Sequence, residues 1–124
     1  PLVVYEPEHR RAFCYVDDAI DATLRLMADG SPSGVYNVGN DLEETSIGAL
    51  ARTLTEVCGV PNLALEPAQA SGPLIPRRAP DIGRLRAATG YAPRVPLREG
   101  LARTVAWYRR RFEEGAPAPG TGGA

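Results

Sequence analysis

Apolar positions come in short bursts at the start of the chain and settle into helical spacing only further on. Residues 2–5 (LVVY) are β-branched and aromatic, which predicts a short buried strand. A polar, charged turn follows over residues 6–11, and residues 12–16 (AFCYV) read as a second short extended piece. Ala19, Ile20, Leu24 and Met27, with Thr23 on the same stripe, then recur at the spacing of a helix and predict its buried face. Asp17 or Asp18 suits the N-cap of that helix, and Gly30 its stop, with SPSG as the turn. Residues 35–38 (VYNV) predict a strand that ends in a turn at Gly39, Asn40 and Asp41.

Ser46 is placed to cap a second helix with the stripe Ile47, Leu50, Ala51, Leu54 and Val57, stopped by Gly59 and Pro61. A short strand is expected over 63–65 and a surface loop over 67–80, where proline recurs without any period. Asp81 opens a short helix closed by Gly90, and a proline-bounded link over 92–96 leads to a last helix over 97–112. In that helix Leu97, Leu101, Val105, Tyr108 and Phe112 share one face. The order β-β-α-β-α-β-loop-α-α is mixed α/β, with a sheet too small for a complete doubly wound domain. Residues 1–113 form one part-domain, and 114–124, made almost wholly of Gly, Pro, Ala and Thr, are expected to be a disordered tail.

Charge narrows the partners. The 124 residues carry a formal net charge of −1, too little to attract nucleic acid or an anionic membrane. No apolar run approaches a membrane span, and the N-terminus lacks a signal-peptide layout, so the expected compartment is the cytoplasm. Cys14 and Cys58 lack CxxC spacing, and the single His cannot complete a zinc set with them, so both are expected to be small buried thiols. All 14 basic residues are arginine, so chemistry that needs a lysine lies beyond this chain. The richness in Arg, Ala, Gly and Pro also fits a GC-rich coding sequence. The opening at Pro1, running straight into an apolar strand, reads as the continuation of something longer.

Two arginine clusters carry the candidate chemistry. His9-Arg10-Arg11 lies between two extended pieces, and Arg77-Arg78 immediately precedes a helix start. Guanidinium is always charged and offers a planar fork of donors, which suits phosphate. Read singly, each cluster is equally well a solvated loop. Asp41, Glu43 and Glu44 lack the spacing and glycine of a calcium loop and read as a solvated turn. Asp17 and Asp18 suit capping better than acid–base work, and His9 has no Ser or Cys partner in a recognisable arrangement. GNDLEETSIG has neither the GxGxxG nor the Walker spacing. No catalytic, cofactor-binding or metal-binding residue is therefore assigned.

Taken jointly, several ordered segments are more specific than any one of them. RRAFCYVDDAIDATLRLM, GVYNVGN, TSIGALA and RRAPDIGRLRAATGYAPRVPLREGLARTVAWYRR together resemble the C-terminal portion of NAD-dependent nucleotide-sugar epimerases and dehydratases, the extended short-chain dehydrogenase/reductase family. The anchors are R-x-F-x-Y-V-x-D (Arg11 to Asp18), Y-N-x-G (Tyr36 to Gly39), R-x-P-D-I (Arg78 to Ile82), G-Y-x-P (Gly90 to Pro93) and the W-Y-R end (Trp107 to Arg109). The resemblance runs to about Arg111.

It implies a small mixed α/β substrate-binding portion that lacks most of the Rossmann domain. In the family that domain holds NAD on a glycine-rich turn and supplies the Ser/Thr, Tyr and Lys of the active site. The portion seen here closes over the nucleoside diphosphate of the sugar. Arg11 and Arg78 would each meet a diphosphate oxygen, and residues 2–5, hence Val4 and Tyr5, would lie near the base. His9 ends the segment Tyr5-Glu6-Pro7-Glu8-His9, which stands where relatives often carry a Gly-rich turn and a Gln, and it completes the substrate-binding set. NAD is expected in the intact parent and not on this chain alone. The expected partners are a nucleoside diphosphate sugar and a Rossmann half or a second copy in a homodimer. Two alternatives stay open: a non-catalytic remnant or partner subunit that only binds or scaffolds, and a structural module whose arginines reflect composition.

Overall fold

The computed structural model describes residues 1–28, 33–72 and 74–115. Nine elements follow in chain order: β1 (Leu2–Tyr5), β2 (Arg10–Ala12), α1 (Val16–Ala28), β3 (Glu44–Ser46), α2 (Ile47–Val57), β4 (Leu65–Ala68), β5 (Arg77–Arg78), α3 (Gly83–Thr89) and α4 (Leu97–Glu113). They make two small sheets. β1 and β4 pair in parallel, Leu2 opposite Leu65 through Tyr5 opposite Ala68. The second sheet has the order β3-β2-β5, with β2 antiparallel to β3 and parallel to β5. The expected α/β class is what forms.

The tightest packing gathers Ala22 of α1, Ile82, Leu85 of α3 and Tyr91, all fully buried, with Leu26 and Tyr36 against them. This inverts the expected face of α1. Ile20, Leu24 and Met27 are 52%, 57% and 76% exposed, whereas Asp18 and Ala22 are buried. The helix is apolar on two sides, and among the described residues the side that meets α3 and Tyr91 is the one that is covered. Ala22 is small enough for that approach to be close.

Asp18 is not the cap that its place near a helix start suggested. The helix begins at Val16, and Asp18 Oδ2 accepts the backbone N–H groups of Arg94 and Val95 at 3.0 and 2.9 Å. The buried carboxylate thereby pins the link before α4 onto α1. The acidic group after Gly39 is not a solvated turn either. Asp41 accepts from Arg86 at 2.8 and 2.9 Å, Glu43 Oε2 accepts the first N–H of α4, at Leu97, at 2.6 Å, and Glu44 joins two arginines.

Ser46 caps α2 as expected, its Oγ accepting from Ala49 N at 3.1 Å. Gly90 ends α3 with φ 65°, a left-handed conformation that glycine adopts without cost. At the start of α3 the N-cap is Ile82, and Asp81 serves one residue earlier, accepting from Gly83 N at 2.8 Å. The last helix runs as expected from Leu97 to one residue past Phe112, although Tyr108 and Phe112 are exposed.

The strands were less legible. Residues 35–38 join no ladder among the described residues, and Val35 is 82% exposed. The second extended piece pairs over Arg10–Ala12 rather than 12–16, and α1 starts where that piece was expected to end. The strand expected over 63–65 forms at Leu65–Ala68, and the loop over 67–80 contains β5. β3 had been read as part of the turn before α2. The helix stop at Gly30 and most of the tail over 114–124 lie outside the described residues; Glu114 is the C-cap of α4.

Candidate functional site

Side chains of a strand alternate between its faces, and residues opposite one another on paired strands share a face. In the second sheet Arg10 stands opposite Arg77, and Arg11 opposite Arg78. Two arginine pairs, read as separate loops in the sequence, therefore form one block of four guanidinium groups on adjacent strands, one pair on each face. Like charges placed directly opposite repel, so each pair calls for an anion.

One pair has its anion within the chain. Glu44 stands opposite Ala12, on the face of Arg10 and Arg77. Its Oε1 accepts from Arg10 Nε at 2.9 Å, and its carboxylate takes Arg77 through Nε at 3.0 Å and Nη2 at 2.7 Å. Arg10 Nη2 also donates to the Glu44 carbonyl at 3.0 Å. Hydrogen bonds from Arg77 and then Arg10 hold the Glu44 carboxyl below the usual carboxylate range.

The other pair has no carboxylate partner among the described residues. Arg11 donates to the carbonyls of Arg10 at 2.7 Å and Ile75 at 2.9 Å, which fixes the guanidinium without neutralising it. The Arg78 side chain makes no hydrogen bond or ion pair among the described residues. Both line an open groove of about 540 Å³ together with Asn37, Gly39, Pro80 and Asp81, within the usual size of ligand pockets. The one acidic side chain in its lining, Asp81, turns an oxygen toward the start of α3. Asn37 Nδ2 donates to the Asp81 carbonyl at 3.1 Å and ties the two walls together.

Glycine at position 39 allows the walls to meet, because a Cβ there would lie 2.6 Å from Pro80 Cγ. Behind the wall, Tyr91 Oη donates to the Gly39 carbonyl at 3.2 Å and lies 3.8 Å from Cys14 Sγ. Burial pushes the Tyr91 phenol well above its ordinary value, with the Cys14 contact adding to it. Burial likewise raises the Cys14 thiol, opposed by its contact with Tyr91, so this sulfur is no thiolate nucleophile at neutral pH. Cys14 and Cys58 are both free and half-buried rather than fully buried.

The other expected site residues lie apart from this groove. Val4 is buried within the β1–β4 sheet, and Tyr5 is exposed at its edge. His9 is half-buried, with Nε2 3.7 Å from Glu6 Oε2, and does not line the groove. Glu6, just past β1, adopts φ 48°, the left-handed region that favours glycine. The turn thus keeps a shape suited to glycine while carrying a charged side chain, whose Oε1 accepts from Ala70 N at 2.8 Å.

A second groove, about 590 Å³, lies between Tyr15 and α4. Its Arg103 is already paired with Asp17 and Glu99, and Tyr15, Val16, Ala106 and Trp107 make much of its wall. Arg110 also lines it. The parallel strand β1 exits into the acidic residues Glu6 and Glu8. Among the described residues no group of three or more His, Cys, Asp or Glu could hold a metal, and no helix is long and apolar enough to cross a membrane.

No family model matches the chain. Individual proteins do. UDP-glucuronic acid decarboxylase 3 of Arabidopsis thaliana is 39% identical over 102 residues, which span 81% of this chain and 29% of that protein. The structure of UDP-glucose 4-epimerase from Thermotoga maritima with UDP-glucose superposes with a TM-score of 0.79 at 25% identity, covering 90% of this chain and 35% of that one. The dTDP-glucose 4,6-dehydratase DesIV of Streptomyces venezuelae, solved with NAD bound, gives a TM-score of 0.78 at 27% identity over 90% of this chain and 35% of its own. The chain thus spans about a third of the length of the relatives it matches. Its resemblance to part of the NAD-dependent nucleotide-sugar epimerase/dehydratase family, expected from the ordered motifs, holds in sequence and in fold.

Proposed function

We propose, on the premise that this chain is a part-length relative of the extended short-chain dehydrogenases/reductases, that it is the nucleotide-sugar-binding portion of an NAD-dependent epimerase, dehydratase or decarboxylase. Arg11 and Arg78 hold the substrate's diphosphate. The observation that carries this reading is the asymmetry of the arginine block. One register pair is neutralised by Glu44, while the other lines an open groove with no carboxylate partner among the described residues. A diphosphate supplies the missing charge, and adjacent strands present the two forks side by side. The base extends beyond the groove toward the end of β1, where Tyr5 is exposed, while Val4 is buried and His9 lies outside the groove.

NAD is held in the intact parent by residues outside this chain, a reading supported by the NAD-bound neighbours that this chain matches over only part of their length. The exposed apolar stripe of α1 is the surface on which a Rossmann half or a second copy packs. Two free thiols suit a reducing compartment, so the protein works in the cytoplasm.

The test is the affinity of the full-length polypeptide for UDP and dTDP, measured by calorimetry, beside Arg11→Ala and Arg78→Ala. Each substitution removes a charge-assisted contact and should weaken binding about tenfold or more. A folded protein that binds neither nucleotide, or variants that bind as tightly as the parent, would sink the reading.

A further inference from the structure

We infer that Glu44 is a positioning residue for this site: its carboxylate clasps Arg10 and Arg77 so that, on the opposite face of the same strands, Arg11 and Arg78 are held in register for a diphosphate. The inference rests on the phosphate-binding reading above and adds a residue that never meets the ligand. Three observations support it. β5 is two residues long and makes no further ladder among the described residues, so its hold on β2 is short: two ladder positions, with the Pro76 and Ile75 carbonyls just before it taking Arg10 N and Arg11 Nη2. Both of those positions set arginine against arginine, which drives the strands apart unless an anion intervenes. Glu44 is that anion on one face, reaching β2 through Arg10 and β5 through a bidentate contact to Arg77. It comes from a third strand, β3, so a single carboxylate fixes the order β3-β2-β5.

Strand alternation turns this into control of the site. Holding Arg77 against Arg10 sets where the next residue, Arg78, stands relative to Arg11. With the clasp released, the ligand would have to bring the second strand back against charge repulsion, and affinity falls although no ligand contact has been removed.

The experiment is UDP binding to the full-length polypeptide by calorimetry, with circular dichroism to establish folding, for Glu44→Gln, Arg78→Ala and the double variant. Glu44→Gln keeps the shape but loses the charge and the second acceptor oxygen, and should weaken UDP about tenfold. In the Arg78→Ala background the same change should cost nothing further, because no second guanidinium remains to be placed. A general structural defect would instead add its loss in both backgrounds, and that additivity would overturn the inference. Should Glu44→Gln fail to fold, Glu44→Asp keeps the charge and both arginines but shortens the reach by one methylene, and a loss of UDP affinity in the same direction is expected. If Arg11→Ala and Arg78→Ala weaken UDP but the clasp variants do not, Glu44 has no positioning role and the phosphate reading survives. If the folded parent binds no UDP, both fall together.

Discussion

The buried carboxylate of Asp18 offers the sharpest test of how this chain is held together. It is 2% exposed, and one oxygen accepts two backbone N–H groups, from Arg94 and Val95. Asp18→Ala leaves both donors without a partner in a part-buried link. At about 1–3 kcal/mol for each donor so stranded, the loss should be about 3 kcal/mol. For a domain of this size that lowers the melting temperature by about 12 °C. Asp18→Asn retains an oxygen acceptor and loses only the charge assistance, so about 1 kcal/mol is expected. Urea unfolding followed by circular dichroism measures both. The comparison also separates two roles. An N-cap would tolerate Asn without loss and cost about 1 kcal/mol on truncation to Ala. A neutral Asp18→Asn together with a mild Asp18→Ala would therefore refute the tertiary role drawn here and restore the cap.

Other outcomes follow from the same geometry. Gly39→Ala forces a methyl to within 2.6 Å of Pro80 Cγ; it should destabilise by about 1–3 kcal/mol and weaken UDP by shifting the wall that carries Arg78, both readable from thermal shift with and without nucleotide. Tyr91 and Cys14 have folded-state values raised by burial, so both help folding while protonated. Their contribution is complete below the ordinary titration range of each group. It is lost as pH rises, because the unfolded chain ionises first, at about 1.4 kcal/mol per pH unit for each group. Tyr91→Phe should flatten the slope of stability above about pH 10, at the cost of leaving the Gly39 carbonyl without its donor. Leu24→Glu falls on the exposed stripe of α1; in the 124-residue chain it should change stability by less than about 0.5 kcal/mol, whereas in the full-length polypeptide the proposed cover makes it strongly destabilising. Equal effects in the two contexts would remove that cover.

The helices could be read from the sequence because their signals are local. Ser46 ahead of an apolar stripe, Gly90 after one, and the spacing from Leu97 onward each act within one or two turns. Strands depend on what lies beside them, and that information is distant in the chain. β3 and β5 carry Glu-Thr-Ser and Arg-Arg, with no apolar alternation, and become strands only because β2 runs between them. Residues 35–38 show the reverse, a good strand sequence that joins no ladder among the described residues. The burial of α1 was misjudged for a related reason. Hydrophobic residues mark a face that some partner covers, but the sequence does not say whether that partner lies in the same 124 residues. The sequence points Asp18 to capping, not to its tertiary bonds, because an aspartate near a helix start has a ready local explanation.

The structure brings Arg11 and Arg78 together as strand neighbours on one groove, and the physics that joins them was not legible in the sequence. As two loops they would have to find one another at the ligand. As paired strands they are held side by side before any ligand arrives, and the arrangement must then answer its own repulsion. A single glutamate does so on one face only. Had both pairs been given carboxylates, the block would be a closed ion network with nothing to offer an anion. Had neither, a two-residue strand would have little to keep it beside β2. One neutralised pair and one open pair therefore satisfy two demands at once: a strand that stays in place and a positive groove that remains available.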